Sequence, residues 1–177
     1  MIPKLRAQNF VGREGQISNI KAYFANAPDA DEPRILILSA MGGQGKSQIA
    51  LEYCRQMQGD YHGLFWVDAS SRSTTIRPFG RIADVLGGGT GSFVTDDEKV
   101  QFVLNILQNP DGRFLVVFDN YDDPTDFIDV KRFVPTTGSV HFLFTSRYKD
   151  LSRLGEVLII PSLLVAEGVS LLLRSFG

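Results

Sequence analysis

The chain has 177 residues, about the length of one domain, with 44% hydrophobic and 21% charged residues, 17 Gly and 8 Pro. That is a globular balance, which excludes a wholly disordered chain, a collagen-like repeat and a coiled coil. Lys and Arg number 18 against 20 Asp and Glu, a net charge of -2 with no basic block, so neither nucleic acid nor an acidic membrane surface is an expected partner.

In chain order, Met1 to Arg6 lacks the apolar core of a signal peptide, and residues 1–9 read as an N-terminal tail. Ile17, Ile20 and Phe24 then recur at helical spacing, and Ala27 to Pro33 reads as a loop. The run Ile35 to Leu38 is nearly all apolar, as a strand buried on both faces should be. Ala50, Tyr53, Cys54 and Met57 follow with helical spacing, then a second run at Leu64 to Val67 and a helical pattern at Ile82, Val85 and Leu86. Gly87 to Ser92 reads as a loop. Thr95 with Glu98 forms a capping box ahead of Val100, Val103, Leu104 and Leu107. The turn Asn109-Pro110-Asp111-Gly112 leads to the run Phe114 to Phe118, and further runs follow at Val140 to Phe144 and Val157 to Ile160. Strands alternating with helices predict an α/β fold, a parallel sheet covered on both faces. The most apolar stretch, Val157 to Val165, is interrupted by Pro161 and far short of a membrane span. The single cysteine, Cys54, has no partner for an internal disulfide and fits a reducing compartment, so a cytoplasmic protein is expected.

Three segments carry chemistry. Ala40-Met41-Gly42-Gly43-Gln44-Gly45-Lys46-Ser47 follows a strand and opens a helix, the setting of a phosphate-binding loop. Its glycines let backbone N–H groups face phosphate oxygens, and the helix N-terminus adds partial positive charge. Lys46 would reach the β- and γ-phosphates and Ser47 would hold Mg²⁺. Ala40 stands where G-x-x-x-x-G-K-S/T begins with Gly, at some cost if that site needs φ > 0. The run Phe114 to Phe118 ends in Asp119, a Walker B pattern that places a carboxylate beside the metal. Asn120 follows, an amide that cannot serve as a useful base. Asp122 and Asp123 could stand in, but read better as a turn before Pro124. The run Val140 to Phe144 leads into Thr145-Ser146-Arg147, which puts a guanidinium at the same sheet edge, able to sense a γ-phosphate. Arg72 is read chiefly as a surface residue, with a finger for a neighbouring subunit's phosphate as the lesser alternative. His62 and His141 are isolated and do not make a metal site, and Cys54 reads as core packing.

Together these residues resemble the nucleotide-binding core of NB-ARC proteins, STAND-class P-loop NTPases that include plant disease-resistance receptors and fungal immune-type receptors. Ala40 to Ser47 is similar to the family's G-M-G-G-x-G-K-S/T. Phe10-Val11-Gly12-Arg13-Glu14 resembles the h-h-G-R-E motif that packs near adenine, and Phe65 to Ala69 the second-strand motif. Asp119 to Asp123 resembles the Walker B region of fungal members, and Thr145-Ser146-Arg147 resembles sensor 1. The resemblance runs from about Phe10 to the end, so 10–177 is read as one NB-ARC core. It implies a three-layer fold with strand order 2-3-4-1-5. It implies ATP or ADP with Mg²⁺, held by Val11, Gly12, Arg13, Met41, Gly42, Gly43, Gln44, Gly45, Lys46, Ser47, Gln48 and Arg147. Ser47 and Asp119 would take the metal, and Lys46 and Asp119 any hydrolytic role. The family's helical and winged-helix subdomains are not among these residues, so an excised core is expected, with Leu171 to Gly177 inside the helix after the fifth strand. Such a core would be a monomer, and the full-length protein a homo-oligomer when ATP-bound. The expected function is a nucleotide switch with slow or no hydrolysis. Two alternatives stand beside it: an active ATPase of another branch, such as AAA+, and a nucleotide-independent interaction domain.

Overall fold

Short runs of Val, Ile, Leu and Phe need cover on two sides, and the chain supplies it with helices on both faces of a single sheet. A computed structural model describes residues 10, 12–26, 32–87, 93–109, 112–163 and 168–169. The expected tail 1–9, Val11, most of both predicted loops, the centre of the 109–112 turn and the helix expected at 171–177 lie outside the described residues.

Strands β1 (Arg34–Ser39), β2 (Gly63–Asp68), β3 (Phe114–Asp119), β4 (Val140–Ser146) and β5 (Glu156–Ile159) form one five-stranded sheet. Every pairing is parallel and the order is β2-β3-β4-β1-β5, as the resemblance implied. Register places Ile37 beside Phe144 and Ser39 beside Ser146, and on the other side of the sheet Asp68 beside Asp119. Strand ends are therefore level along one edge.

Alternation along the strands divides the core. Val116, Phe118, Phe142 and Phe144 pack on one face with α3 (Arg72–Val85) and α4 (Asp96–Leu107) through Phe79, Ile82, Val103 and Leu107. Leu36, Leu38, Leu115, Val117 and Leu143 pack on the opposite face with α1 (Glu14–Ala25) and α2 (Lys46–Gln56) through Ile20, Phe24, Ile49 and Tyr53. His141 lies on this second face. Its ring stacks on Phe24 at 4.3 Å between centroids, and its Nδ1 stands 2.7 Å from the Tyr61 hydroxyl. The Tyr61 hydroxyl in turn meets that of Tyr53 at 3.0 Å. Burial first, then Arg113 and Arg34, push the imidazole down to about 3. Burial also pushes both phenols up, so both hydroxyls stay protonated and join the neutral imidazole in one buried hydrogen-bonded chain. Cys54 packs in the same layer, as expected.

Four readings need correction. The fifth apolar run is not buried on both faces: β5 is an edge strand paired only with β1, and Ile159 is 75% exposed. α3 starts well before Ile82, at Arg72, although its first turns are rich in Ser and Thr and it contains Pro78. A Ser71/Thr74 capping box and the buried Thr75 hydroxyl, which donates to the Asp68 and Ser71 carbonyls, hold that start. Val85 faces solvent rather than the core, and Met57 caps α2 rather than extending it. Among the described residues no helix is long and apolar enough to cross a membrane.

Candidate functional site

The phosphate-loop segment follows β1, Asp119 ends β3, and Thr145-Ser146-Arg147 closes and follows β4. Because β3, β4 and β1 are consecutive in the sheet, the three segments converge at its C-terminal edge, where open α/β sheets place their ligands.

The loop turns on Gly43 and Gly45, with φ of 79° and 80°, and Gly45 is the N-cap of α2. Any larger residue would be strained at those two positions. Ala40 is different. Among the described residues only Arg13 and Asn120 have positive φ without being glycine, so Ala40 carries no conformational penalty. Its N–H donates to the Ser146 carbonyl at 3.2 Å and ties the loop to β4. The Lys46 ammonium lies under the loop, donating to the carbonyls of Ala40 at 2.9 Å and Met41 at 3.1 Å. Burial lowers its pKa foremost; Asp122 and Asp119 act against that, and Arg147 with it. Met41, Gly42, Gly43 and Gln48 are exposed, and Gln44, Gly45 and Ser47 are half-buried, so this face of the loop is open to a ligand.

Ser47 donates its hydroxyl to Asp119 Oδ1 at 2.7 Å, and Thr145 donates to the same oxygen at 2.5 Å. Asp119 Oδ2 takes none of the hydrogen bonds among the described residues. The hydroxyl of Ser47 and the carboxylate of Asp119 are hard oxygen donors side by side, which fits Mg²⁺. Among the described residues no group of three or more His, Cys, Asp or Glu could hold a metal. A cation here would complete its shell with phosphate and water, as Mg²⁺ does in nucleotide sites.

Beyond Asp119 the chain turns through Asn120 at φ 65°, a conformation asparagine tolerates well. Its backbone N–H donates to Thr145 Oγ1 at 3.0 Å, and its side chain faces solvent. The next acids separate. Asp123 is the turn residue expected, accepting from the Thr125 and Asp126 N–H groups at 3.0 Å each. Asp122 is not. Its Oδ1 accepts the Arg147 N–H at 2.7 Å and its Oδ2 meets Arg147 Nε at 2.9 Å. That pairing, like the Thr145 contact, crosses between β3 and β4 and had no local signal in the sequence.

Arg13 is buried beside the loop. Gly12 and Arg13 both have left-handed φ, 71° and 69°, and deliver a buried guanidinium between two carbonyls. Nη1 donates to Pro161 at 2.7 Å and Nη2 to Gln44 at 3.3 Å. Arg13 thus fastens the loop to the segment that follows β5. Arg72 pairs with Asp129 at 3.2 Å and Asp97 at 3.7 Å within the chain.

The family model for the NB-ARC domain matches residues 13–166. The chain belongs to the NB-ARC family. Among curated proteins, this NB-ARC domain is 26% identical over 137 residues to disease susceptibility protein LOV1 of Arabidopsis thaliana, covering 75% of this chain and 15% of that protein. The chain therefore spans less than a fifth of that relative's length. Among solved structures, it is similar to Cdc6p of Pyrobaculum aerophilum, with TM-score 0.70 at 13% identity over 98% of this chain and 51% of that one. A STAND protein of Pyrococcus horikoshii with a tetratricopeptide repeat sensor aligns at TM-score 0.52 and 15% identity, over 94% of this chain and 25% of its own. At those identities the structures speak for the fold, which is that of P-loop ATPases. The expected NB-ARC membership and P-loop architecture both hold.

Proposed function

We propose that this NB-ARC domain binds ATP or ADP with Mg²⁺ and serves as the nucleotide-switch core of an NLR-like STAND signalling protein in the cytoplasm. The observation that carries this reading is the meeting of Lys46, Ser47 and Asp119 around a loop turned by Gly43 and Gly45. Backbone N–H groups of the loop and the N-terminus of α2 bind phosphate oxygens. Lys46 leaves the Ala40 and Met41 carbonyls for the β- and γ-phosphates. Ser47 and Asp119 present oxygens to Mg²⁺, which when bound neutralises charge on the phosphates. Gly12, Arg13 and Val11 would flank the base, and adenine is the base the family motif implies. Within that setting Arg13 acts by fixing Gln44 and the segment after β5 rather than by donating to the base.

Hydrolysis is slow or absent on this reading. A water would need a base near Asp119, and Asn120 is an amide. Asp122 is committed to Arg147. Signalling would come from conformation and from homo-oligomerisation of the full-length protein in its ATP-bound form.

The test is to denature freshly purified protein and identify released nucleotide, with Lys46→Ala alongside and Mg-ATP and ADP titrated into both. Nucleotide near one per chain, or micromolar binding, that is lost in Lys46→Ala is the expected result. Affinity unchanged in that variant would place nucleotide elsewhere, and no binding by the unaltered chain would leave the interaction-domain reading in its stead.

A further inference from the structure

We infer that Asp122 is a positioning residue that sets the preference for nucleoside triphosphate over diphosphate by holding Arg147 above the phosphate loop; the inference rests on the nucleotide site proposed above. Asp122 grips residue 147 at two points. Oδ1 accepts its backbone N–H at 2.7 Å, and Oδ2 meets Nε at 2.9 Å. The first fixes the backbone from which the side chain rises. The second fixes the inner edge of the guanidinium. The outer nitrogens, Nη1 and Nη2, take none of the hydrogen bonds among the described residues, so the fork stays open.

Gly42 marks where it lies. A Cβ built on Gly42 would lie 3.7 Å from Arg147 Cζ and 3.8 Å from Nη1, so the guanidinium stands over the loop itself. The Lys46 ammonium, which in phosphate loops reaches the β- and γ-phosphates, lies on the carbonyls of the two preceding loop residues, Ala40 and Met41. Arg147 and Lys46 therefore mark the end of the loop where the outermost phosphate belongs. A planar fork with both outer nitrogens open matches a phosphate's paired oxygens.

Stability does not account for this contact. The Arg147 side chain is 65% exposed, and exposed ion pairs contribute little to folding. What the two-point grip does achieve is preorganisation: rotamer freedom is lost before the ligand arrives, so more of the phosphate contact appears as affinity. A diphosphate does not extend to the fork and gains nothing from it.

The experiment measures Kd for Mg-ADP and for Mg-bound adenylyl imidodiphosphate by calorimetry on the full chain, for the unaltered protein, Asp122→Asn, Arg147→Gln and the double variant. Asp122→Asn keeps an acceptor for the residue 147 N–H and removes the charge facing Nε. Triphosphate affinity relative to ADP is expected to fall about tenfold in Asp122→Asn. ADP affinity and thermal midpoint should stay where they were. Arg147→Gln should lose at least as much, and the double variant no more than Arg147→Gln alone. Equal weakening of both nucleotides, additive losses in the double variant, or an unchanged or increased relative affinity for triphosphate would each overturn the inference while leaving the nucleotide site intact. An unaltered chain that binds neither nucleotide would overturn the site itself and this inference with it.

Discussion

Asn120 has two roles that pull together at a single position. Its left-handed backbone lets the chain leave β3 sharply, and on the slow-hydrolysis reading proposed above its amide withholds a base. Aspartate tolerates the same conformation, so Asn120→Asp should fold normally. It would place a carboxylate next to Asp119, and turnover of Mg-ATP should rise about a hundredfold, the lower end of general-base catalysis. Phosphate release measured alongside the thermal midpoint checks this; an unchanged rate with an unchanged midpoint would show that the amide is not what restrains hydrolysis. At this scale the phosphate loop, Asp119 and Arg147 were legible in the sequence because each is a contiguous motif. Asp122 was not, because its partner lies 25 residues away, just past the end of β4, and local context makes it a turn residue like Asp123. In sequence Ala40 departs from the glycine of the motif, and only its backbone geometry shows that no glycine is needed there.

Helix starts carry the element-scale prediction. α4 opens on an exposed capping box: Thr95 Oγ1 accepts the Glu98 N–H at 3.2 Å, and Glu98 returns by accepting the Thr95 N–H at 3.3 Å. Three acids in the first turn add a favourable interaction with the helix dipole. Thr95→Ala should cost about 1 kcal/mol of folding stability, read as a lower denaturant midpoint with unchanged slope. No loss would mean that the acids alone hold the helix start. Thr95 and Glu98 were legible because the box precedes a clear 3.6-residue pattern. The start of α3 was not, because Ser, Thr, Pro and Gly compose a loop on propensity alone. Its Ser71 cap and the bond from Thr75 to Asp68 override that propensity. β5 misled in the opposite sense: its apolar residues match those of the central strands, and only its place at the sheet edge shows that one side lacks a strand neighbour.

The buried Tyr53–Tyr61–His141 chain ties the stability of the whole molecule to pH. Folding holds the imidazole near 3, well below its ordinary value of about 6.5. Below about pH 6.5 the unfolded chain takes up a proton that the folded chain refuses, so stability falls as pH falls through that window. Between pH 7 and 4.5 this contribution should reach about 2 kcal/mol. His141→Phe, a ring that can still stack on Phe24, should remove that part of the slope; denaturant curves at both pH values check it, and parallel behaviour in the two proteins would rule the histidine out. Sheet order was the part of the architecture that composition and periodicity could not supply; it came from resemblance to NB-ARC proteins, and the pairing bears it out. That order also has a temporal side. β1 has only β4 and β5 as neighbours, and both lie far downstream in the chain. On the ribosome the strand that carries the phosphate loop emerges first yet has no pairing partner until residue 140 has followed it, since chains are made from the N-terminus and non-local pairing is slow. Asp119 leaves before Thr145, which anchors it, so the site is assembled only when the last central strand slots between β3 and β1. A nucleotide-binding signal from this protein is thereby also a timestamp, given only by chains whose synthesis has passed the centre of the sheet.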